Sequence, residues 1–402
     1  MRVPRLLTAA LVLLSFVMPL ATDMYLPAFP RMTDDLHTDA SGVQLTLTSF
    51  LVGMGLGQLV LGPLSDRLGR RLPLLTGGAV CVAATVLCAM APSLGWLVAL
   101  RFAQGFSGAA GVVIGRAVVS DVAEGRTAAR MFGILMTLMG IAPVLAPVAG
   151  GAVVGHGGWH GVFWVLAGAC LLALVAAVVA VPESLPVEKR HTGGGAATLR
   201  AAREVLGDRP YLGYTLAFGF SLAVLFCYVA GASFLFQNVL GFGLGQTSAA
   251  FASVGVVSTL ASTVITKLVG RFTAGGMLRA GLRLMFPTAV ALCLATVAGG
   301  LTAPVALVLL GLLFVPICLV TINAVPLALA RVPRAAGTGS AVLGALQSAL
   351  SALAAPLVGL GGQDTALPMF LCMTGFAGLA LLALRLTRHA TGPAEPAGAP
   401  AA

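Results

Sequence analysis

Gly62-Pro63-Leu64-Ser65-Asp66-Arg67-Leu68-Gly69-Arg70-Arg71 packs four charges into ten residues between two long apolar runs. Gly62 permits close helix approach, and Gly69 allows a tight turn. Arg70 and Arg71 beside the single carboxylate Asp66 invite a charge-assisted pair. The flanking runs, 42–62 and 72–91, each approach the ~20 residues a helix needs to cross a bilayer. A chain that leaves the membrane only for so short a turn is expected to be all helical.

Working outward, twelve such spans can be drawn: 6–29, 42–62, 72–91, 96–119, 131–155, 160–181, 211–237, 247–268, 279–300, 303–328, 336–360 and 365–385. The composition agrees, with 58% hydrophobic and 9% charged residues and a mean hydropathy of +1.01. Soluble domains carry about 25% charged residues. Net charge is +10, yet the basic residues follow topology, so no nucleic-acid partner is expected. With the N-terminus inside, 20 of 23 basic residues lie on the cytoplasmic side and only Arg31 lies outside. That asymmetry sets the orientation and supports an even span count. Span 1 has no small-residue cleavage site and is expected to be retained.

The polar segment 182–210 divides the spans six and six. The expected organisation is an N-terminal six-helix bundle (1–181), a cytoplasmic linker (182–210), a C-terminal six-helix bundle (211–388) and a disordered cytoplasmic tail (389–402). Two such halves suggest a parallel internal repeat with a site between them near the midplane.

Within the spans, charge is scarce. Asp23 is the only acid in an apolar span, and Arg101 and Arg116 are the only bases placed deep in one. An intramembrane carboxylate is costly and marks function by default. One acid and two bases suggest a carrier coupled to protons, with Asp23 and Arg101 the coupling pair. Arg101 lies five residues inside Trp96, so snorkelling to the outer surface is its alternative. Arg116 is read as a structural pairing on the cytoplasmic side. Thr22, Asp23, Tyr25, Gln104, Tyr228, Asn323 and Gln347 are the candidate cavity residues. All seven cysteines fall in apolar spans without ligand spacing, and His156 and His160 have no third ligand near them. No metal site or cofactor is expected beyond the proton, and the chain is not an enzyme.

The loop motif resembles the signature of the major facilitator superfamily. Arg101-Phe102-Ala103-Gln104-Gly105 followed by Gly108 is similar to its second motif. Gly140, Pro143, Pro147, Gly150 and Gly151 resemble the span-5 motif of its drug/proton antiporters, with Ala146 where the pattern has Gly. Those prolines are expected to kink the helix. Thr22-Asp23-Met24-Tyr25-Leu26-Pro27, Val43-Gln44-Leu45-Thr46, Gly57-Gln58 and Gly337-Thr338-Gly339-Ser340-Ala341 narrow the likeness to the Bcr/CflA group of drug exporters. The second half keeps only Lys267 and Arg271 of a worn loop motif. The resemblance implies a gating set of Gly62, Asp66, Arg67, Gly69, Arg70, Arg71 and Asp121. In it, Asp121 completes a charge relay with Arg70 that holds the outward-open state.

The expected function is a monomeric, proton-driven exporter of small apolar or amphiphilic drugs in the bacterial inner membrane, with both termini cytoplasmic. An importer of a small metabolite is the alternative, and Arg101 alone gives few cavity cations for an anion. A channel lacks an Asp/Glu ring. An ATP-driven pump lacks a G-x-x-x-x-G-K-[ST] loop. Ser15 stands where some relatives carry a second span-1 acid, which makes dications poor candidates.

Overall fold

The computed structural model describes residues 5–123, 125–187, 190, 203–269, 271–332 and 336–387, with only the backbone for several residues between 125 and 143. The expected tail and about half of the expected linker lie outside the described residues. The chain is all helical among the described residues: α1 (Arg5–Asp23), α2 (Phe29–Asp35), α3 (Ala40–Leu68), α4 (Arg71–Ala89), α5 (Leu94–Val122), α6 (Gly125–Ala180), α7 (Arg209–Phe234), α8 (Leu244–Leu268), α9 (Ala274–Val297), α10 (Ala303–Leu329), α11 (Ala336–Gly359) and α12 (Leu367–Thr387).

Among the described residues, eleven helices are long and apolar enough to cross a bilayer, against twelve expected spans. The difference lies in α6. Its 56 residues would run ~84 Å if straight, far beyond a ~30 Å hydrocarbon core. The helix is broken at Gly158, whose φ of 62° and ψ of −167° are not helical. The chain doubles back there, because a β-carbon on Gly161 would lie 3.3 Å from Val153 Cγ1. Expected spans 5 and 6 are therefore one hairpin turned by a glycine. The α6 backbone stays helical through Pro143 and Pro147, so its described break is at Gly158 and not at the prolines.

The first span departs from expectation in a more telling way. It is not a continuous helix over 6–29. Helix α1 ends at Asp23, a single turn follows at Leu26–Ala28, and α2 restarts at Phe29. Pro27 and Pro30 occupy N-terminal positions of those two short elements, where their missing N–H groups cost least.

Helices α1 to α6 pack on one another as one group, and α7 to α12 as a second. Small residues let the backbones meet. Added β-carbons on Gly53 and Gly105 would fall 2.3 and 2.1 Å from carbonyl oxygens of α5 and α3 respectively. The two groups meet along α3 against α11 and α6 against α8. Hydrogen bonds join them at the arginine-poor end. Ser233 Oγ donates to Leu26 O, Gln237 Nε2 to Pro27 O (2.9 Å), Gln44 Nε2 to Ala230 O (3.1 Å), and Thr33 Oγ1 to Gln363 Oε1 (3.3 Å). This end is closed.

Candidate functional site

Asp23 is the last residue of α1, at the break, and it is half-buried. It makes no hydrogen bond or ion pair among the described residues. Across the halves, α7 carries Tyr228, whose buried hydroxyl has no hydrogen-bond partner among the described residues. The bond from Ser233 to Leu26 pins these two segments about one helical turn away. Phe251 of α8 and Phe314 of α10 hold the Tyr228 ring edge-on, at 5.7 and 5.1 Å between centroids. The segment that carries the acid in one half is thus joined to the helix that carries an unsatisfied hydroxyl in the other. Sequence reading offers no signal for the two phenylalanines, because they are two among 19 in the chain.

Arg101 is not brought to Asp23. It is fully buried, which removes the snorkelling alternative. Its guanidinium lies 4.2 Å from the Phe50 ring centroid, 4.4 Å from Tyr25 and 5.6 Å from Phe163. Its Nη1 donates to Gln104 Oε1 (2.6 Å) and its Nη2 to Ala21 O (3.1 Å). Gln104 in turn donates to Thr85 Oγ1 (2.9 Å). The Ala21 carbonyl belongs to the C-terminal turn of α1, where helix carbonyls carry partial negative charge. Arg101 therefore braces the broken end of α1 from behind.

Two expected cavity residues belong to this brace. Tyr25 and Gln104 are fully buried inside the first half, in contact with the arginine. Tyr25 adds a 3.4 Å contact to Thr46, which places the Val43–Thr46 motif in the same network. Thr22 spends its hydroxyl on Met18 O, and Asn323 its amide on Leu319 O, each within its own helix. Gln347 is half-buried on α11, beside the Ser348 that packs on Gly55 across the halves. Arg116 is exposed on α5.

Gly140 and Pro143 are described by backbone alone, and Pro147 is buried. Gly150 and Gly151 are contact points. A β-carbon on Gly150 would fall 1.8 Å from Met24 O, next to Asp23, and one on Gly151 would fall 1.9 Å from Ser248 Oγ across the halves. Span 5 therefore presses directly on the break in α1.

The loop motif forms a compact cluster. Arg70 bonds Asp66, Asp121 Oδ2 (3.1 Å) and Ser65 Oγ (2.8 Å). Gly62 lies against Val113, and Gly69 has a φ of 96°, which suits glycine. Arg67 and Arg71 are exposed, and Arg71 donates to Val178 O (3.0 Å). Sequence reading missed two members. Glu183 accepts from the backbone N–H groups of Arg70 (2.8 Å) and Arg71 (3.2 Å) at the start of α4, and Ser184 donates to Asp121 (2.9 Å). Partial burial pushes the Glu183 carboxyl up. Its bonds from Arg70, Leu185 and Arg71 and the nearby Arg190 charge outweigh that and hold it below the usual value. Their signal was Pro182-Glu183-Ser184 directly after span 6, one helix away in space from the motif.

Two six-helix groups, closed at one end and meeting around an uncompensated acid, define a multi-pass membrane carrier. The chain matches the Major Facilitator Superfamily over residues 11–356 and belongs to that family of transporters; it is not an enzyme. It is 36% identical over 360 residues to an uncharacterized MFS-type transporter, YdgK, of Bacillus subtilis, covering 89% of each chain. It is 32% identical over 373 residues to a bicyclomycin resistance protein homolog of Haemophilus influenzae, covering 92% of this chain and 93% of that one. A chloramphenicol resistance protein of Pseudomonas aeruginosa is 32% identical over 292 residues, 72% of this chain and 68% of that one. These relatives bear out the likeness to Bcr/CflA-type exporters. Among solved structures, a bacterial homolog of the lysosomal transporter Spinster, inward-facing and occupied, superposes with a TM-score of 0.74 at 14% identity, covering 94% and 95% of the chains. A D-xylose-proton symporter superposes with a TM-score of 0.71 at 16% identity, covering 95% and 97%. Both establish the fold.

Proposed function

We propose that the chain is a proton-coupled antiporter that exports small hydrophobic or amphiphilic drugs by alternating access. It acts as a monomer in a bacterial inner membrane with both termini cytoplasmic. The observation that carries this reading is Asp23, a half-buried intramembrane acid with no ion pair among the described residues, set at a helix break that the bond from Ser233 to Leu26 joins to the second half. The names of the drug-resistance relatives support the substrate class.

Protonated, Asp23 is neutral and drug binding is weak. Drug entering from the cytoplasmic side favours loss of that proton. The halves then rock, so that the outer end opens, drug leaves, and Asp23 takes a proton from outside. Opening requires breaking the four bonds that close that end, at ~1 kcal/mol net each. One charge moving through 100 mV supplies ~2.3 kcal/mol. The closure is thus of the size that one proton and one drug molecule can drive. The Arg70 cluster lies wholly in the first half while the outer end is closed. Any lock it makes to the second half belongs to the outward-open state.

A resistance panel in an exporter-deleted bacterial host tests the reading, with chloramphenicol-type and bicyclomycin-type antibiotics included. Expression should raise resistance to at least one apolar or amphiphilic drug, and a proton uncoupler should abolish drug extrusion. Accumulation of these drugs inside expressing cells would contradict export.

A further inference from the structure

Helices α9 and α12 pack together along the edge of the second half, at the arginine-rich end. A cavity of about 300 Å³ opens between them, lined by Arg283, Leu381, Leu382, Leu384 and Arg385. Phe286 packs on Gly378, which fixes the antiparallel register. That register sets Arg283 beside Leu381 and brings Arg279 to the level of Arg385.

The charge here has no internal explanation. Neither helix carries an acidic residue. Arg279, Arg283 and Arg385 are exposed and make no ion pair or hydrogen bond among the described residues. The positive-inside bias accounts for the end of the helices at which these arginines lie, not for the convergence of two of them on one cavity. Arg283 lies nine residues into α9, ~14 Å from the helix start but within about one turn of the start of the expected span 279–300, with apolar neighbours. The outward faces beside the cavity are also apolar: Leu284 and Leu294 of α9 and Leu371, Leu379 and Leu382 of α12 are all exposed.

A guanidinium pair selects an anion with several oxygens, and phosphate matches the fork of each arginine. Leucines running from the cavity toward the bilayer centre select acyl chains. We propose that this cavity binds the headgroup of one anionic phospholipid of the leaflet on the arginine-rich side. Arg283 and Arg385 clamp the phosphate, and the acyl chains lie along the exposed leucines. Basic cavities between spanning helices are suited to such headgroups.

The test uses the purified full-length protein and native mass spectrometry in detergent. Phosphatidylglycerol, phosphatidylcholine and inorganic phosphate are titrated separately. One phosphatidylglycerol should bind at least tenfold more tightly than phosphatidylcholine, and millimolar inorganic phosphate should not displace it. The double substitution Arg283→Gln with Arg385→Gln should remove that preference. Should that variant fail to fold, Arg283→Lys with Arg385→Lys keeps the charge but loses the fork, and should bind several-fold more weakly. Equal binding of both lipids overturns the proposal. So does an unchanged preference in either variant, or displacement by inorganic phosphate, which would mark the cavity as a site for the free ion.

Discussion

Arg101 donates to the Ala21 carbonyl, two residues before Asp23, and no nitrogen of it lies within 4.0 Å of the Asp23 carboxylate. The base therefore holds the helix end that carries the acid, while the acid keeps its own charge uncompensated. Its burial among Phe50, Tyr25 and Phe163 makes it a structural group first.

Arg101→Gln should accordingly destabilise the protein. Leaving the buried acceptors Gln104 Oε1 and Ala21 O without their donor costs about 1–3 kcal/mol each. Thermal melting of the purified variant should fall clearly, with Gln104 and Ala21 O losing their donor. Direct ion pairing with Asp23 would give a different signature: unchanged melting, but a large shift in the pH dependence of transport.

The closing bonds give a second expectation. Ser233→Ala deletes one bond that joins the halves, worth ~1 kcal/mol, and should raise the outward-open population about fivefold. Gln237→Ala should act in the same direction. Accessibility of a cysteine introduced near Pro27 to a membrane-impermeant thiol reagent reads this. Accessibility equal to that of the parent would show that these bonds do not set the closed state.

Much of this was legible in the sequence. The loop motif, the span positions and the lone Asp23 follow from hydropathy and charge, which the bilayer enforces residue by residue. The break after Asp23 was less visible, because Pro27 and Pro30 also suit a helix start. The hydropathy of 131–181 shows two spans, and the break at Gly158 agrees with them. The contacts of Tyr25 and Gln104 with Arg101 are not legible in the sequence, because helix depth does not tell which face a side chain takes. Glu183, Phe251 and Phe314 reach the site only through tertiary packing.

Glu183 links the Arg70 cluster to pH. Partial burial raises its pKa, but the bonds from Arg70, Leu185 and Arg71 and the charge of Arg190 lower it more. Its folded value lies below the ordinary ~4.3. The ionised form therefore favours the folded loop above that range, and the contribution is lost as pH falls through the folded value. Melting temperature should decline on acidification below about pH 4, and Glu183→Gln should flatten that decline. Parallel profiles for the two proteins would remove Glu183 from the cluster's energetics.

Charge selectivity follows from a single acid. A monocation exchanged for one proton moves no net charge, whereas a neutral drug exchanged for one proton moves one charge inward. In vesicles with separately imposed gradients, a membrane potential alone should drive neutral-drug export and leave monocation export nearly unchanged. Equal driving of both would reveal a second proton site.

The central claim is that Asp23 carries the coupling proton. Drug-induced proton release from the purified protein tests it most directly, in parent and Asp23→Asn, with melting temperature as the control for folding. About one proton per drug molecule should leave the parent, and none should leave a stably folded Asp23→Asn. Undiminished proton release from that variant would contradict the account.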